Sequence, residues 1–506
     1  MEFVIGIILV LSFFGLAYYC VKGHNLMIGF LVIATIWTAL SLLGTLVASP
    51  EFIAENEILQ FGGDSGTSLV SILNNIYQSA PEGWGTTLVN VCWGAWFGRV
   101  LMETGIASTL IRKTVELGGD RPIITVALLN IVTAIIFTAM TGAGPVIAIG
   151  VIVLPILMSL GVPKAIAMFT FMGSVSAGMY LNPVLQWSQL RAFILAADEM
   201  PEFSFTWYAT HWGYFALAIS LVVVCILAGI YLKVSKPSHA WAAQTRGASE
   251  QKDAPLYALI LPIVPVVLKI AFDFSVIGGF VIAGFAALFL CGRMKGSFKE
   301  NCQLVNKLYY DGVVDTAPLI GFLLTLPMFN TCASYAAPYF KEVLGSFMPT
   351  NEYVICALFA ALSIMGFFRG PLTLYGCGAA TLGVLRGVGS FSAPFLFCVF
   401  TIPSTTVNVG SCITQSWIAW GLAYTKVESK DYLKLSIPFA YITSILLYVL
   451  TAFTVTGLTG PSPPPPRHPR PPPLPVPPAN NPHATRLKTP APGPLRSGAG
   501  VCFSAY

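Results

Sequence analysis

The chain has 506 residues, of which 55% are hydrophobic and only 10% charged. A water-soluble domain carries about a quarter charged residues, so this composition excludes a soluble globular protein and points to a polytopic membrane protein. The net charge of +5 gives no reason to invoke nucleic acid.

A membrane span needs roughly 20 apolar residues. By that measure the sequence predicts spans over 3–21, 26–48, 88–111, 122–140, 145–160, 165–182, 208–232, 255–272, 275–292, 313–337, 353–368, 371–387, 393–410 and 434–458. Several are short enough to be re-entrant hairpins, so about 12 to 14 transmembrane or re-entrant helices are expected. The first stretch could pass for a signal peptide. It has no basic n-region, Glu2 is acidic and no small-x-small cleavage site follows, so it reads as a retained span.

Lysines and arginines in short loops set the orientation. Residues 51–89 carry Glu51, Glu55, Glu57, Asp64 and Glu82 without a base and read as outside. Arg112, Lys113 and Arg121 mark the next turn as inside. The loop 191–207 sets Arg191 against Asp198, Glu199 and Glu202 and reads as outside. Lys233, Lys236, Arg246 and Lys252, then Arg293, Lys295 and Lys299, read as inside. The 11 cysteines stand singly, with no CxxC and no Cys/His cluster, so they read as small apolar residues and not as disulfides or metal ligands. After residue 458 the sequence turns into GPSPPPPRHPRPPPLPVPPANN, which cannot bury a core. This tail is either an SH3-type ligand or a disordered extension or reading-frame artefact.

The chain also repeats. When GAGPVIAIGVIVLPIL (from Gly142) is laid over FRGPLTLYGCGAATLG (from Phe368), Pro145 meets Pro371, Asn182 meets Asn408 and Gln189 meets Gln415 without a gap. The last spans of the two halves, 208–232 and 434–458, then coincide. Upstream, Glu103-Thr104-Gly105 lies near Asn330-Thr331-Cys332 with a one-residue slip. Charge tells how the halves are related. The loop 112–121 is basic, whereas its counterpart 341–352 holds Lys341, Glu342 and Glu352 and reads as outside. The acidic loop 191–207 corresponds to a segment followed by Lys426, Lys430 and Lys434. Opposite topology in two halves is the plan of secondary transporters, whose sites lie between the repeats on discontinuous helices.

The expected fold is therefore an all-α polytopic membrane protein with two inverted-topology repeats and broken helices. Residues 1–84 form N-terminal spans with an external acidic loop, and 85–235 the first repeat. A cytoplasmic loop (236–254) and linking spans (255–310) lead to the second repeat (311–459), followed by the proline-rich tail (460–506).

The breaks carry the chemistry. TGAGP (141–145) reads as a loop of small residues with a helix starting at Pro145, and FFRGP (367–371) as a loop with a helix starting at Pro371. Free N–H groups and the positive helix end then face the membrane interior, where they need a partner such as an anion. Two such ends facing each other make an anion site. Leu181-Asn182-Pro183 and the run Ile402 to Gly410 add amide, hydroxyl and backbone oxygens that suit a cation. The substrate contacts expected are Thr141, Gly142, Gly144, Asn182, Arg369, Gly370, Thr373, Thr405 and Asn408. Those for the coupling ion, H⁺ or Na⁺, are Ser174, Ser176, Ser404, Thr406 and Glu103. Arg369 is the only charge between 353 and 385, and a guanidinium matches a carboxylate as a fork. Its alternative is to snorkel from a helix end. Arg99 and Glu103, at i and i+4, read as a structural ion pair or a proton-linked one.

FGRVLMETGIASTLIRKTVELGGDRP, followed by TGAGPVIAIGVIVLPILMSLGVPKAIA, resembles the first half of bacterial ion-transporter superfamily permeases. The nearest are the gluconate permease family and the lactate, C4-dicarboxylate and citrate carriers. The resemblance covers roughly 85–235 and, more faintly, 310–458. It implies an elevator-like, often homodimeric carrier of a small organic anion in a bacterial inner membrane, driven by H⁺ or Na⁺, with no cofactor. A cation/proton antiporter is the alternative; it needs an intramembrane acid, and Asp273 and Asp315 lie at span ends. No HExxH, Asp-rich motif or P-loop is present, so an enzyme or an ATP-driven pump is not expected.

Overall fold

Every element is a helix in the computed structural model, which describes residues 1–21, 24–60, 69–119, 121–195, 200–235, 253–345, 349–376, 378–388 and 391–457 and has no strand among them. The proline-rich tail and the charges at Asp64, Asp198, Glu199, Lys236, Arg246 and Lys252 lie outside the described residues.

The first pair is α1 (Glu2–Val21) and α2 (Leu26–Val47). Next come α3 (Gly85–Glu103) and α4 (Ile106–Gly118), separated at Gly105, whose φ of 74° only glycine adopts freely. The expected span 88–111 is therefore cut in two. Then follow α5 (Pro122–Phe137), α6 (Ala143–Ser159), α7 (Lys164–Met179) and α8 (Tyr214–Val234). After α9 (Val264–Phe272) and α10 (Val276–Leu290) comes α11 (Phe298–Leu344), a single helix of 47 residues. Its start is a reciprocal cap: Ser297 accepts from the Glu300 N–H, and Glu300 accepts from the Ser297 N–H at 2.7 Å. The chain closes with α12 (Glu352–Ala361), α13 (Gly378–Val388), α14 (Ala393–Ile402), α15 (Ser416–Thr425) and α16 (Ser429–Thr454).

Among the described residues three helices are long and apolar enough to cross a membrane: Met27–Val47, Phe205–Val234 and Ser429–Thr454. A fourth counts if α12 and the turn Ser363–Arg369, bent by 64°, are taken together. Most of the expected spans and hairpins are shorter. α5 and α6 have 16 and 17 residues, about 25 Å each at 1.5 Å per residue, against a hydrocarbon thickness of about 30 Å.

Polarity runs inside out. On α16 the exposed residues are Ile442, Ile445, Leu446, Val449 and Phe453, whereas Ser436, Thr443, Ser444 and Thr451 are fully buried. On α5, Ile123, Ile124 and Ile131 face out, and Thr125, Asn130 and Thr133 face in. A helix folded in water shows the reverse. One of these buried hydroxyls links two helices: Thr451 Oγ1 accepts from Trp212 Nε1 at 3.0 Å and donates to Leu447 O at 2.8 Å.

Candidate functional site

Two helices are buried on every side, as only central helices are: α7 from Ile166 to Met179, and all of α14. Each runs into a widened, proline-led turn, Pro183–Ser188 after α7 and Pro403–Val407 after α14. There the Trp187 N–H reaches Asn182 O (3.1 Å) and the Asn408 N–H reaches Pro403 O (3.0 Å), five residues back in each case. Widened turns of this kind release backbone carbonyls. Aromatic side chains take carbonyls that flank these turns: Tyr208 Oη donates to Tyr180 O at 2.8 Å, Tyr432 Oη to Gly410 O at 2.7 Å, and Trp417 Nε1 to Val409 O at 3.1 Å.

The first break falls where the sequence places it. α5 stops at Phe137, Gly142 adopts a φ of 93°, and α6 starts at Ala143, two residues ahead of the expected Pro145. Asn182 holds this break together. Its Nδ2 donates to Phe137 O and Met140 O, both at 3.0 Å, and its Oδ1 accepts from the Val184 N–H at 3.0 Å. Its contacts are thus with the chain itself. The amino end of α6 is occupied too. Asp315 from α11 lies so close over Gly144 that any Cβ there would strike its carboxylate, and Thr316 packs against Gly142. Asp315 forms a two-pronged ion pair with Arg99 of α3, Nε to Oδ2 and Nη2 to Oδ1, both 2.6 Å. The expected Arg99–Glu103 pair is therefore not made: a longer reach gives Arg99 the better fork, and Glu103, at the end of α3, pairs with Arg293 instead. Asp315 is also not at a helix end, because α11 extends well beyond it on both sides.

The second break departs further from expectation. Phe368 and Arg369 both have positive φ, 55° and 61°. Gly370 is extended, residues 371–376 form turns, and the next helix begins at Gly378 instead of Pro371. The reason is local: Thr373 O accepts from the Gly376 and Gly378 N–H groups at 3.0 and 2.9 Å, which closes a tight turn before a helix can start. Ser404 fastens this turn as Asn182 fastens the first break, accepting from the Leu374 N–H at 3.0 Å and from Thr373 Oγ1 at 3.5 Å. Arg369 braces it, with Nη1 donating to Tyr375 O (3.2 Å) and Nη2 to Gln415 Oε1 (2.5 Å). Two proline-led helix ends offered to one anion are thus not what this region builds.

Hydrogen bonds join the interrupted segments to one another. Ser176 Oγ donates to Thr405 O at 3.2 Å, and the Tyr180 and Thr406 hydroxyls meet at 2.5 Å. Tyr375 Oη lies 3.2 and 3.3 Å from the Oε1 atoms of Gln186 and Gln189. Ser174 turns back onto its own helix, to Thr170 O at 2.8 Å. Within this region the buried polar atoms that have no partner include the Thr141 and Thr405 hydroxyls, the amide nitrogens of Gln186 and Gln189, and both amide atoms of Asn408. All of these residues are fully shielded. Each such group costs about 1–3 kcal/mol unless a ligand or water meets it.

Sequence reasoning missed Gln186, Tyr180, Tyr375 and the Arg99–Asp315 contact. Gln189 and Gln415 were visible as matched positions of the repeat, but nothing local marked them as contacts. Among the described residues no three His, Cys, Asp or Glu side chains gather as a metal site. No protein-family model matches the sequence, and no curated protein matches it.

Proposed function

We propose that the chain is a membrane-embedded secondary carrier of a small organic anion, such as gluconate, lactate, citrate or a C4-dicarboxylate. It would be a symporter working by alternating access in a bacterial inner membrane. The observation that carries this reading is the set of buried, unpartnered polar groups on interrupted helices: Thr141, Gln186, Gln189, Thr405 and Asn408. Neutral amide and hydroxyl groups of this kind fit the hydroxyl and carboxylate oxygens of a small acid.

The inside-out polarity supports a lipid surround. The inverted repeat draws support from the order of elements, which recurs. α5, a break, α6, α7, the turn at Pro183 and α8 answer to α12, a break, α13, α14, the turn at Pro403 and α16. A cation/proton antiporter is favoured by one observation, the carboxylate of Asp315 within α11. Its charge is already matched by Arg99, which leaves little to attract a bare cation.

The test is thermal unfolding of the purified protein in detergent with D-gluconate, L-lactate, citrate and succinate. An acid at 100 times its Kd raises stability by about 2.7 kcal/mol. The reading expects one of the four to raise the midpoint and Asn408→Ala to abolish that rise. No rise with any acid contradicts it.

A further inference from the structure

We infer that Arg99 is the cation that receives the carboxylate of the transported acid, and that Asp315 holds that place while the carrier is empty and takes up one proton when displaced. This rests on the carrier reading above and adds its coupling ion and its charge-binding residue.

The two 2.6 Å bonds from Nε and Nη2 to the two oxygens of Asp315 form the planar fork by which a guanidinium recognises any carboxylate. Asp315 is in this sense a stand-in for a substrate carboxylate. The fork sits at the first break, where Asp315 covers Gly144 in the opening turn of α6. The Thr141 hydroxyl, buried and unpartnered, lies just ahead of that turn. A guanidinium, a helix amino end and an unused hydroxyl thus belong to one short stretch of structure, and all three favour an anion. The pair is reachable, since the Arg99 and Asp315 side chains keep 28% and 15% of their exposure.

Charge accounts for the proton. Arg99 stays charged in any state, and a carboxylate stripped of its partner among apolar helices is costly. Before binding, one guanidinium faces one ionised Asp315. After binding, it faces the ionised acid, and Asp315 carries an O–H bond made with a proton from the compartment that supplied the acid. The site is neutral in both states, so one proton travels with each monocarboxylate.

Few other charges bear on Asp315. α2, α6 and α10 carry none. On α3, Glu103 is held by Arg293. On α1, Glu2 is held by the Met1 amino group and the Ser49 N–H. Glu82 accepts from Gln78, and Arg386 of α13 donates to Ile194 O. On α11 itself Asp311 stands one turn away and Lys307 two turns away.

The test uses the full chain in liposomes loaded with the pH dye pyranine, with labelled D-gluconate and L-lactate as probes. For the wild type, uptake of a probe acidifies the lumen. Asp315→Asn lowers acidification and pH-driven accumulation by about tenfold or more relative to whatever exchange of labelled for unlabelled acid it retains, because the proton carrier is gone. Asp315→Glu keeps both. Arg99→Gln combined with Asp315→Asn leaves no unpaired charge to unfold the protein, and it loses exchange by about tenfold or more while remaining monodisperse. Acidification that persists in Asp315→Asn, or exchange that persists in the double variant, overturns the inference and leaves the carrier reading standing. A wild-type chain that moves neither probe overturns the inference, and one that moves none of D-gluconate, L-lactate, citrate and succinate overturns the carrier reading as well.

Discussion

Asn182 and Asn408 occupy equivalent places in the sequence repeat, yet their side chains do opposite things. Both polar atoms of the Asn182 amide are used, Nδ2 to tie its segment to the first break and Oδ1 on the Val184 N–H, whereas neither atom of the Asn408 amide has a partner. Removing the first strands two buried carbonyls; removing the second strands nothing. Asn182→Ala is therefore expected to lower stability by about 2–4 kcal/mol, and Asn408→Leu to leave it unchanged or raise it by about 1 kcal/mol. Thermal midpoints in detergent check both, and equal losses in the two variants would contradict the division of roles. Both asparagines were legible because the repeat aligns them in apolar runs, Asn182 directly before Pro183 and Asn408 five residues after Pro403. The partners of Gln186, Gln189 and Arg99 were not, since Tyr375 and Asp315 lie far along the chain. The i, i+4 relation of Arg99 to Glu103 was the only pairing the sequence displayed, and a longer-range contact won.

At the level of elements, proline alone does not break a helix here. α6 runs through Pro155, α11 through Pro327 and Pro338, and α16 through Pro438. The breaks occur where proline is joined by glycine, as at Gly142 and Gly370, or by a hydroxyl-rich run, as at 403–408. The first break was readable for that reason. The second was misplaced, because a turn closed on Thr373 O delays the helix to Gly378, and no composition rule foretells such a turn. Gly142 and Gly144 fix the first break by different means. A side chain at Gly142 must adopt a φ of 93°, so Gly142→Ala is expected to cost about 1–3 kcal/mol. At Gly144 a methyl would instead push the Asp315 carboxylate off the first turn of α6. Gly144→Ala is expected to weaken acid binding or coupling more than it lowers the thermal midpoint. A variant that loses only stability would contradict this.

For the molecule as a whole, the low charge and the inverted polarity agree. Apolar residues form the outer faces of α5 and α16, and serines, threonines and amides lie between helices. The helical class was legible from composition and period alone. The lengths of individual helices were not, because Gly/Pro interruptions divide what hydropathy reads as continuous. The chain is expected to stay with the membrane pellet through an alkaline carbonate wash, and release into the supernatant would contradict a spanning protein. The central claim is that a small organic anion is carried by alternating access through these interrupted helices, and counterflow tests it most directly. Proteoliposomes are loaded with unlabelled D-gluconate, L-lactate, citrate or succinate and diluted into a trace of the same acid carrying label. The account predicts a transient overshoot of label inside with at least one acid, absent in Asn408→Ala. Simple equilibration without trans-stimulation, or no uptake of any of the four, would contradict it.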